Sequence, residues 1–303
     1  MTKLKDVKVG GNIHAKMLVA ELNENRTRKG EPYITAILRD HTAAAVTQLW
    51  NTSFEDCPFK KGQVLDVYAT VTEYEGNKQL KIVEWHLMQD ENPLHYLPGI
   101  SPNKRINYVS QLRKYPAYIA KDHFRELVKM FLDSPDFETF CIAPAARKMH
   151  SAYIGGLLAH TAHVCRIANG MLEDDLLITG AIFHDVGKMF TYTIDGEFSY
   201  TRKGALLEHI ILGIQYVADL ADRISNFPEI DLVYLQHLIA SHHGQLDWGS
   251  PVKPQLIQAQ YLHQADIAAT RFEQFWEASS EANGTGSVKM FKIGGNIWIE
   301  NER

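Results

Sequence analysis

Cysteine is scarce in this sequence, and its three copies, Cys57, Cys141 and Cys165, lie far apart without a Cys-x-x-Cys pair. This distribution argues against a disulfide framework, and we expect reduced thiols in a cytoplasmic protein. Long apolar runs are missing as well, so the sequence predicts no membrane-spanning segment and no membrane partner. The N-terminal residues also lack the charged-then-apolar pattern of a signal peptide.

The sequence contains no long basic block, no internal repeat and no low-complexity tract, and its formal net charge is −5 at pH 7. Composition alone therefore argues against a constitutive nucleic-acid binder. The chain has 303 residues, of which 45% are hydrophobic and 22% are charged. This length and composition predict a globular protein of two domains rather than one.

Residues 1–91 carry the pattern of an all-β domain. The β-rich or alternating segments are His14–Leu22, Tyr33–Arg39, Ala45–Trp50, Val64–Tyr74 and Gln79–Met88. Turn residues separate them, and a longer connection follows the third segment. Five short strands with this spacing predict a small barrel of the OB type.

Barrels of this type bind single strands by stacking bases on aromatic rings and by contacting the backbone with basic groups. The candidate aromatic contacts in this domain are Tyr33, Trp50, Tyr68 and Tyr74, and the candidate basic contacts are Arg26, Arg28, Lys29, Arg39, Lys78 and Lys81. The alternative is that the aromatic residues belong to the barrel core and that the charges are ordinary solvated surface.

Residues 92–105 contain three prolines and a glycine and are interpreted as a linker. Residues 106–283 show helical periodicity, which predicts an all-α bundle. One predicted helix spans 154–169 and is closed by Gly170. Within the helical region, a polar segment at 191–203 has a predicted tight turn at Asp195-Gly196. Residues 284–303 form a tail with two short β-like segments and a predicted turn at Gly294-Gly295.

The stretch Leu176–Met189 is apolar on nearly all sides, which predicts a buried helix. It ends with His184 and Asp185, and Lys188 follows on the same side. A buried His-Asp pair is costly unless it is compensated, and a metal ion is the usual compensation. For an isolated His-Asp dipeptide, the alternative is a structural histidine with a capping aspartate.

Further histidines and aspartates fall at or near the ends of neighbouring predicted helices and favour the metal interpretation. They are His160, His209, His242, His243 and Asp266. One bundle can bring all of these together with His184 and Asp185. Five imidazoles and two carboxylates are too many ligands for one ion and suit two divalent metals, with Asp185 as the bridge. Two such ions support phosphoryl-group hydrolysis. His163, His237 and His263 are interpreted as packing residues or as supports of the ligands rather than as ligands, and His263, which shares a face with Asp266, is the most plausible substitute ligand.

The ordered set of histidines and aspartates resembles the HD-domain phosphohydrolase superfamily in its two-metal form. With the segments Tyr153–Thr161 and Ser241–Pro251 and an OB-like domain in front, the chain looks like the YhaM family of 3′→5′ exoribonucleases. The resemblance implies a multi-domain α and β protein, with an N-terminal OB-like β-barrel followed by an all-α HD-domain bundle.

The resemblance also implies a function for each domain. The OB domain would bind single-stranded RNA, with single-stranded DNA as a second candidate. The HD domain would use two divalent ions, manganese first and iron, magnesium, zinc or cobalt as alternatives, to release nucleotides from the 3′ end. Asp185, His184 and Lys188 would be catalytic, and Lys188 matches the lysine that contacts phosphate.

Two positions depart from the family pattern. His150 is followed by Ser151 where the family often has two histidines, so His150 is kept only as a candidate substrate contact. Glu208 stands before His209 in place of the expected small residue.

Two other functions are compatible with the sequence. One is a small-nucleotide phosphohydrolase or cyclic-dinucleotide phosphodiesterase on the same scaffold, which would not need an OB-like domain. The other is a non-enzymatic single-strand-binding accessory factor, which would not need seven metal ligands. The sequence does not indicate an oligomeric state.

Overall fold

The computed structural model describes residues 2–147, 152–194, 197–281, 286–290 and 295–300. The chain divides into two compact units. The first contains Met1–Gly99 and Thr193–Ser199, and the second contains Ile100–Tyr192 and Tyr200–Arg303.

The first unit contains the predicted OB-like β-barrel. Its strands are β1 (Asn12–Arg26), β2 (Pro32–Arg39), β3 (Ala44–Trp50), β4 (Val64–Tyr74) and β5 (Asn77–Met88). They close into a barrel in the order β1-β2-β3-β5-β4. The closing β3–β5 contact is parallel, whereas the other pairs are antiparallel. This closure confirms the fold predicted for the first domain.

Strand β1 is longer than the predicted segment because it pairs with two neighbours. Asn12–Leu18 pairs with β4, and Leu18–Arg26 pairs with β2. A register shift between Val19 and Glu21 separates the two halves and bends the strand. Residues 23–26 are all polar, so hydrophobic alternation could not reveal this end of the strand.

The second unit is the predicted helical bundle. Its main helices are α1 (Pro102–Leu112), α2 (Asp122–Leu132), α3 (Pro135–Ile142), α4 (Gly156–Met171), α5 (Asp175–Phe183), α6 (Lys188–Thr191), α7 (Arg202–Ala221), α8 (Glu229–Ser241) and α9 (Ile257–Glu281). Helix α1 begins inside the segment interpreted as a linker, because Ser101 caps its N-terminus and Pro102 occupies the first turn. Gly170 does not close its helix as predicted, since α4 continues to Met171 and the chain becomes extended at Leu172.

Helix α5 is buried on all sides, in agreement with its apolar sequence. Leu177, Ala181, Ile182 and Phe183 have no exposed surface. The predicted single helix over 174–189 is nevertheless interrupted: α5 ends before His184, a turn follows, and α6 begins at Lys188.

The turn between α5 and α6 depends on Gly187. A Cβ atom at this position would lie 1.9 Å from the carbonyl oxygen of His209. Only glycine therefore allows the backbone of the α5–α6 turn to approach α7 this closely. This approach brings the His184-Asp185 turn next to His209.

Helix α7 contains a break that the sequence did not predict. Glu208 has φ 58° and ψ 167°, which separates a first helical segment from a second one that begins at His209.

Helix α7 is also long and apolar enough to cross a membrane by length and composition, with a mean hydropathy of 1.2, although no such run was predicted from the sequence. Half of this window is buried, and core helices pass the same test, so the observation is weak evidence for a membrane span.

Two short hairpins complete the described chain. Strands β6 (Tyr192–Ile194) and β7 (Phe198–Tyr200) flank a predicted turn, and β8 (Gly286–Met290) pairs with β9 (Gly295–Ile299). Ile297 and Ile299 in β9 pack against Ala278 of α9. The predicted turns at Asp195-Gly196 and Gly294 lie outside the described residues.

Candidate metal centre

Asp185 lies at the centre of the predicted ligands and has 2% of its surface exposed. Its Oδ2 atom lies 3.3 Å from His184 Nε2 and 3.6 Å from His160 Nε2. Its Oδ1 atom lies 3.5 Å from His209 Nε2 and 3.6 Å from His242 Nε2. The two carboxylate oxygens therefore face two different pairs of imidazoles.

The ends of two helices orient His184 and His242. His184 Nδ1 lies 2.9 Å from the Ala181 carbonyl, and His242 Nδ1 lies 2.7 Å from the Ile239 carbonyl. Both acceptors belong to the last turn of a helix, where carbonyls lack a following intrahelical donor. An Nδ1–H donated to these oxygens leaves Nε2 as the electron-pair donor, which is the tautomer that binds a metal.

His243 is held by the loop that follows α8. Its Nδ1 atom lies 2.8 Å from the Trp248 carbonyl, so its Nε2 atom is also free to act as a ligand. Gly244, with φ +79°, allows the turn, because a Cβ atom there would lie 2.1 Å from the His263 ring.

The pKa of His243 is lowered to about 3, mainly by burial and to a smaller extent by the neighbouring His242 and His209. Burial also lowers the pKa of His209. Both imidazoles are therefore neutral at pH 7, as metal ligands must be.

His160 and Asp266 close the other side of the site. His160 Nε2 lies 3.1 Å from Asp266 Oδ1 and 3.4 Å from His184 Nε2. Burial alone would lower the pKa of His160, but Glu273 and Asp266 outweigh it and raise the pKa to about 10. An ion bound here would therefore compete with a proton on His160.

Three buried atoms at the centre have no hydrogen-bond partner within the described part of the chain: Asp185 Oδ1, His209 Nε2 and His242 Nε2. Unsatisfied buried polar groups are rare in folded proteins and call for an explanation such as an ion. Asp185 Oδ1 lies 3.5 Å from His209 Nε2 and 3.6 Å from His242 Nε2. Two ligands that bind one ion at ~2.1 Å lie about 3.0–3.4 Å apart for angles between 90° and tetrahedral, so the spacing fits a metal after small adjustments.

The ligand atoms form two groups, each within 4.8 Å of one another: His160, His184 and Asp185 in one, and His209, His242 and His243 in the other. Asp185 belongs to the first group and directs its second oxygen at the other. The structure thus brings together the residues predicted from the sequence as ligands, with Asp266 beside His160. The donor set of imidazole and carboxylate suits divalent transition metals.

Comparisons with known proteins agree with this centre. Residues 157–271 match the HD domain family. The 3′-5′ exoribonuclease YhaM of Shouchella clausii (strain KSM-K16) is 30% identical over 271 residues, which cover 86% of this chain and 83% of the relative. The chain belongs to the YhaM family. A second relative with the same name, from Geobacillus sp. (strain WCH70), is 28% identical over 267 residues, or 85% of this chain and 82% of the relative.

A solved structure also matches the N-terminal part of this YhaM-family chain. It is the second OB-fold domain of replication protein A from Methanococcus maripaludis, with 17% identity and a TM-score of 0.24 over 30% of this chain and 96% of that one. A similarity at this level carries no argument. The OB-like fold rests on the strand order described above.

Lys188 lies beside Asp185 rather than among the ligand atoms. Its Nζ atom donates to Asp185 Oδ2 at 2.7 Å. Burial would raise the pKa of Asp185, but Lys188 and the nearby His184 and His242 hold it well below its usual range. The ionised carboxylate is the form that a metal requires, so Lys188 favours it.

A cavity of about 340 Å³ opens beside Asp185. Lys188, His243 and Asp266 line it, together with residues that the sequence analysis did not select, among them Trp248 and Arg271. The volume lies near the lower end of the ~300–1,000 Å³ that is usual for small-ligand sites.

The carboxylate of Glu273 lies behind His160 and was not predicted from the sequence. Glu273 Oε1 lies 3.5 Å from His160 Nδ1 and 3.0 Å from His163 Nδ1, and Tyr108 Oη lies 3.2 Å from His163 Nε2. Glu273 lies seven residues after Asp266 on one face of α9, and this spacing is the only signal that could have identified it. His163, interpreted as a packing residue, takes part in this chain of contacts.

The predicted single-strand contacts lie on the barrel. The rings of Tyr33 and Trp50 are 4.8 Å apart on neighbouring strands, and 58% of Trp50 is exposed. Arg26, Arg28 and Lys29 are exposed near the β1–β2 turn. Trp50 is therefore not a core residue, which removes the alternative interpretation for that position.

Three further histidines need a separate account. His263 Nδ1 lies 2.8 Å from the His242 carbonyl, so it supports the HisHisGly turn. His237 Nε2 accepts a hydrogen bond from the Gln255 amide. His150, the remaining candidate substrate contact, lies outside the described residues.

Proposed function

We propose that this chain is a metal-dependent 3′→5′ exoribonuclease that hydrolyses single-stranded RNA and releases nucleoside monophosphates. The observation that carries the proposal is the buried Asp185, whose two oxygens face two groups of imidazoles. The relatives named 3′-5′ exoribonuclease YhaM support the reaction and its direction.

Two divalent ions would serve this reaction: His160, His184 and Asp185 would hold one and His209, His242 and His243 the other, with Asp185 placed to contribute to both. Manganese is the first candidate, followed by iron, cobalt and zinc. Magnesium is less suited, because it prefers oxygen ligands and this site is rich in imidazole. When bound, such ions activate water and stabilise the charge that develops on the transferring phosphoryl group.

The protein residues prepare the site for this chemistry. The carbonyls of Ala181 and Ile239 fix the imidazole tautomers of His184 and His242. Lys188 supplies a point charge beside Asp185 that suits a non-bridging phosphate oxygen. Two divalent ions would outweigh the carboxylates of Asp185 and Asp266, and the resulting positive charge attracts phosphate to an acidic protein.

The barrel binds the single strand through its own surface. Trp50 and Tyr33 offer stacking surfaces, and Arg26, Arg28 and Lys29 contact the backbone. Single-stranded DNA is a second substrate of the same surface. We place the protein in the cytoplasm, where its cysteines stay reduced.

The test uses single-stranded RNA labelled at either end and the full-length protein with manganese after removal of other metals. The 5′ label should pass through a ladder of successively shorter products, whereas the 3′ label should appear at once as a mononucleotide. A ladder from the 3′ label instead would contradict the direction, and no metal-dependent cleavage would contradict the function.

One observation favours a second candidate, a small-nucleotide phosphohydrolase. The cavity beside Asp185, at about 340 Å³, has room for little more than one nucleotide. Such an enzyme would hydrolyse mononucleotide or cyclic-dinucleotide substrates faster than RNA under the same conditions. Comparison of kcat/KM for the two substrate classes decides between the candidates.

A further inference from the structure

We infer that the cavity beside Asp185 is a subsite for one terminal nucleotide, in which Trp248 stacks on the base and Arg271 contacts the phosphate. This inference rests on the proposed function and extends it to residues outside the metal ligands. Both residues line the cavity together with Asp185 and Lys188.

The side chain of Trp248 is exposed at a position where solvation of an aromatic ring has no structural benefit. It is 56% exposed and lies in a short turn, Leu246–Trp248, between α8 and α9. Exposed tryptophan in a polar cavity is typical of a stacking surface for a planar ligand. Every base has a π face, so such a surface is tolerant of sequence, as an exonuclease that removes any nucleotide requires.

The position of Trp248 is fixed relative to the metal centre. Its carbonyl oxygen lies 2.8 Å from Nδ1 of His243, one of the candidate metal ligands. Its ring centroid lies 6.1 Å from that of His263, which is itself bound to the His242 carbonyl. The backbone of residue 248 thus contacts one candidate ligand, and the Trp248 ring lies near the histidine that supports another, so the stacking surface lies beside the metal centre.

Helix α9 supplies the opposite wall. Asp266, Ile267, Thr270 and Arg271 line the cavity from successive turns of one face. Arg271 lies five residues after Asp266, about 7.5 Å further along the helix axis. It is exposed, and its guanidinium can reach back toward the ligands with two parallel donors that match phosphate oxygens.

The charges of the cavity support a phosphate-bearing ligand. Its lining contains the carboxylates of Asp185 and Asp266 and the cations Lys188 and Arg271, so the four side chains balance. Divalent ions at the metal centre therefore leave a net positive cavity. The phosphate of a nucleotide would be attracted by this charge, and its base would stack on Trp248. Inorganic phosphate could make only the first of these interactions.

The decisive test compares two RNA substrates that differ only in the 3′-terminal residue, one normal and one abasic. Trp248→Ala should raise KM for the normal substrate by about 5- to 150-fold, which corresponds to the ~1–3 kcal/mol of one stacked base. Trp248→Ala and the wild type should have equal KM on the abasic substrate. Trp248→Phe should retain most of the affinity, and Leu246→Ala, an exposed apolar residue in the same turn, should have no effect.

Metal content separates stacking from a structural role. The contact to His243 comes from the backbone of residue 248, so Trp248→Ala should bind as much manganese as the wild type. Loss of metal in this variant, or equal losses on both substrates, would overturn the stacking role. Arg271→Gln should raise KM on both substrates alike, and an unchanged KM would overturn its phosphate contact.

A binding measurement keeps this inference distinct from the proposed function. Adenosine 5′-monophosphate, added with zinc, should quench tryptophan fluorescence in the wild type and not in Trp248→Phe. Quenching by Trp248 without any RNA digestion would overturn the exoribonuclease and retain a nucleotide subsite. RNA digestion without this quenching, and with equal KM for normal and abasic ends, would overturn the subsite alone.

Discussion

Asp185 and His209 face each other across 3.5 Å, from Oδ1 to Nε2, and neither atom has a hydrogen-bond partner among the described residues. Each unsatisfied buried group of this kind costs about 1–3 kcal/mol. A metal ion between them would satisfy both. The stability of the protein should therefore depend on metal.

The first prediction concerns Asp185→Asn. Manganese at about 100 times its Kd should raise the free energy of unfolding of the wild type by ~2.7 kcal/mol. The variant should show little of this rise and no RNA hydrolysis, because an amide is a weak ligand and cannot bridge two ions. Urea denaturation with manganese or with chelator measures the difference, and Asp219→Asn, on the exposed face of α7, is the control. An equal metal-dependent rise in Asp185→Asn would refute the assignment.

The second prediction concerns Lys188. Lys188→Ala should lower turnover by about 10- to 100-fold, because a phosphate contact is lost, while metal content at pH 7 stays near that of the wild type. The ion pair with Asp185 is not needed once ions hold the carboxylate. Loss of metal from Lys188→Ala would instead make Lys188 a structural support of the site.

The sequence was sufficient for prediction where the type of a side chain indicates its chemistry. His184, Asp185 and the histidines at other helix ends stood out because a buried apolar helix rarely ends in such residues. The barrel was predictable because its strands alternate in hydrophobicity. These signals are local, and they were sufficient for the fold class and for a set of histidines and aspartates that the structure brings close together.

Other features depend on tertiary contacts and left no local signal. Glu273 is an ordinary glutamate in the sequence, and only the packing of α4 on α9 makes it a partner of His160. The break of the central helix at Gly187 follows from the approach of His209, and a glycine by itself does not indicate what approaches it. The length of β1 depends on its second partner strand, not on its own pattern.

The third prediction follows from Glu273. Glu273→Gln should weaken manganese binding about 10-fold to 100-fold, because carboxylates behind ligating histidines orient them and increase their basicity. Glu273 raises the pKa of His160 more than Asp266 does, so the pKa of His160 should fall in the variant. Isothermal titration with manganese measures the affinity. Glu277→Gln, one turn further along α9, is the control, and equal affinities in the two variants would exclude the orienting role.

The fourth prediction concerns the barrel. Trp50→Ala should weaken binding of a long single-stranded RNA by ~1–3 kcal/mol and leave KM for a dinucleotide unchanged. The double substitution Arg28→Gln and Lys29→Gln should reduce the dependence of binding on salt, because fewer counterions are released. Val83→Ala is the control, since Val83 is 75% exposed on the same barrel and is not a candidate contact. A loss on the dinucleotide as large as that on long RNA would mean that Trp50 supports the fold.

The last prediction concerns the backbone strain at Glu208. Its conformation, φ 58° and ψ 167°, is one that glycine adopts freely and that costs other residues about 1–3 kcal/mol. The extra freedom of glycine in the unfolded chain costs ~0.5–1 kcal/mol. Glu208→Gly should therefore raise the free energy of unfolding of the metal-free protein by roughly 1 kcal/mol.

The strain is retained because the side chain of Glu208 acts on His209. Its Oε2 atom lies 3.9 Å from His209 Nδ1, and this interaction lowers the pKa of Glu208. The carboxylate thus favours an Nδ1–H tautomer that turns Nε2 toward Asp185.

Glu208→Gly should consequently bind manganese more weakly while it unfolds less readily, and Glu208→Gln, which keeps the strain, should show only the weaker binding. Asn226→Gly, at another residue with positive φ, should change neither quantity by much, because asparagine adopts this region at low cost. If Glu208→Gly gains stability and binds manganese as tightly as the wild type, Glu208 has no role in the metal centre.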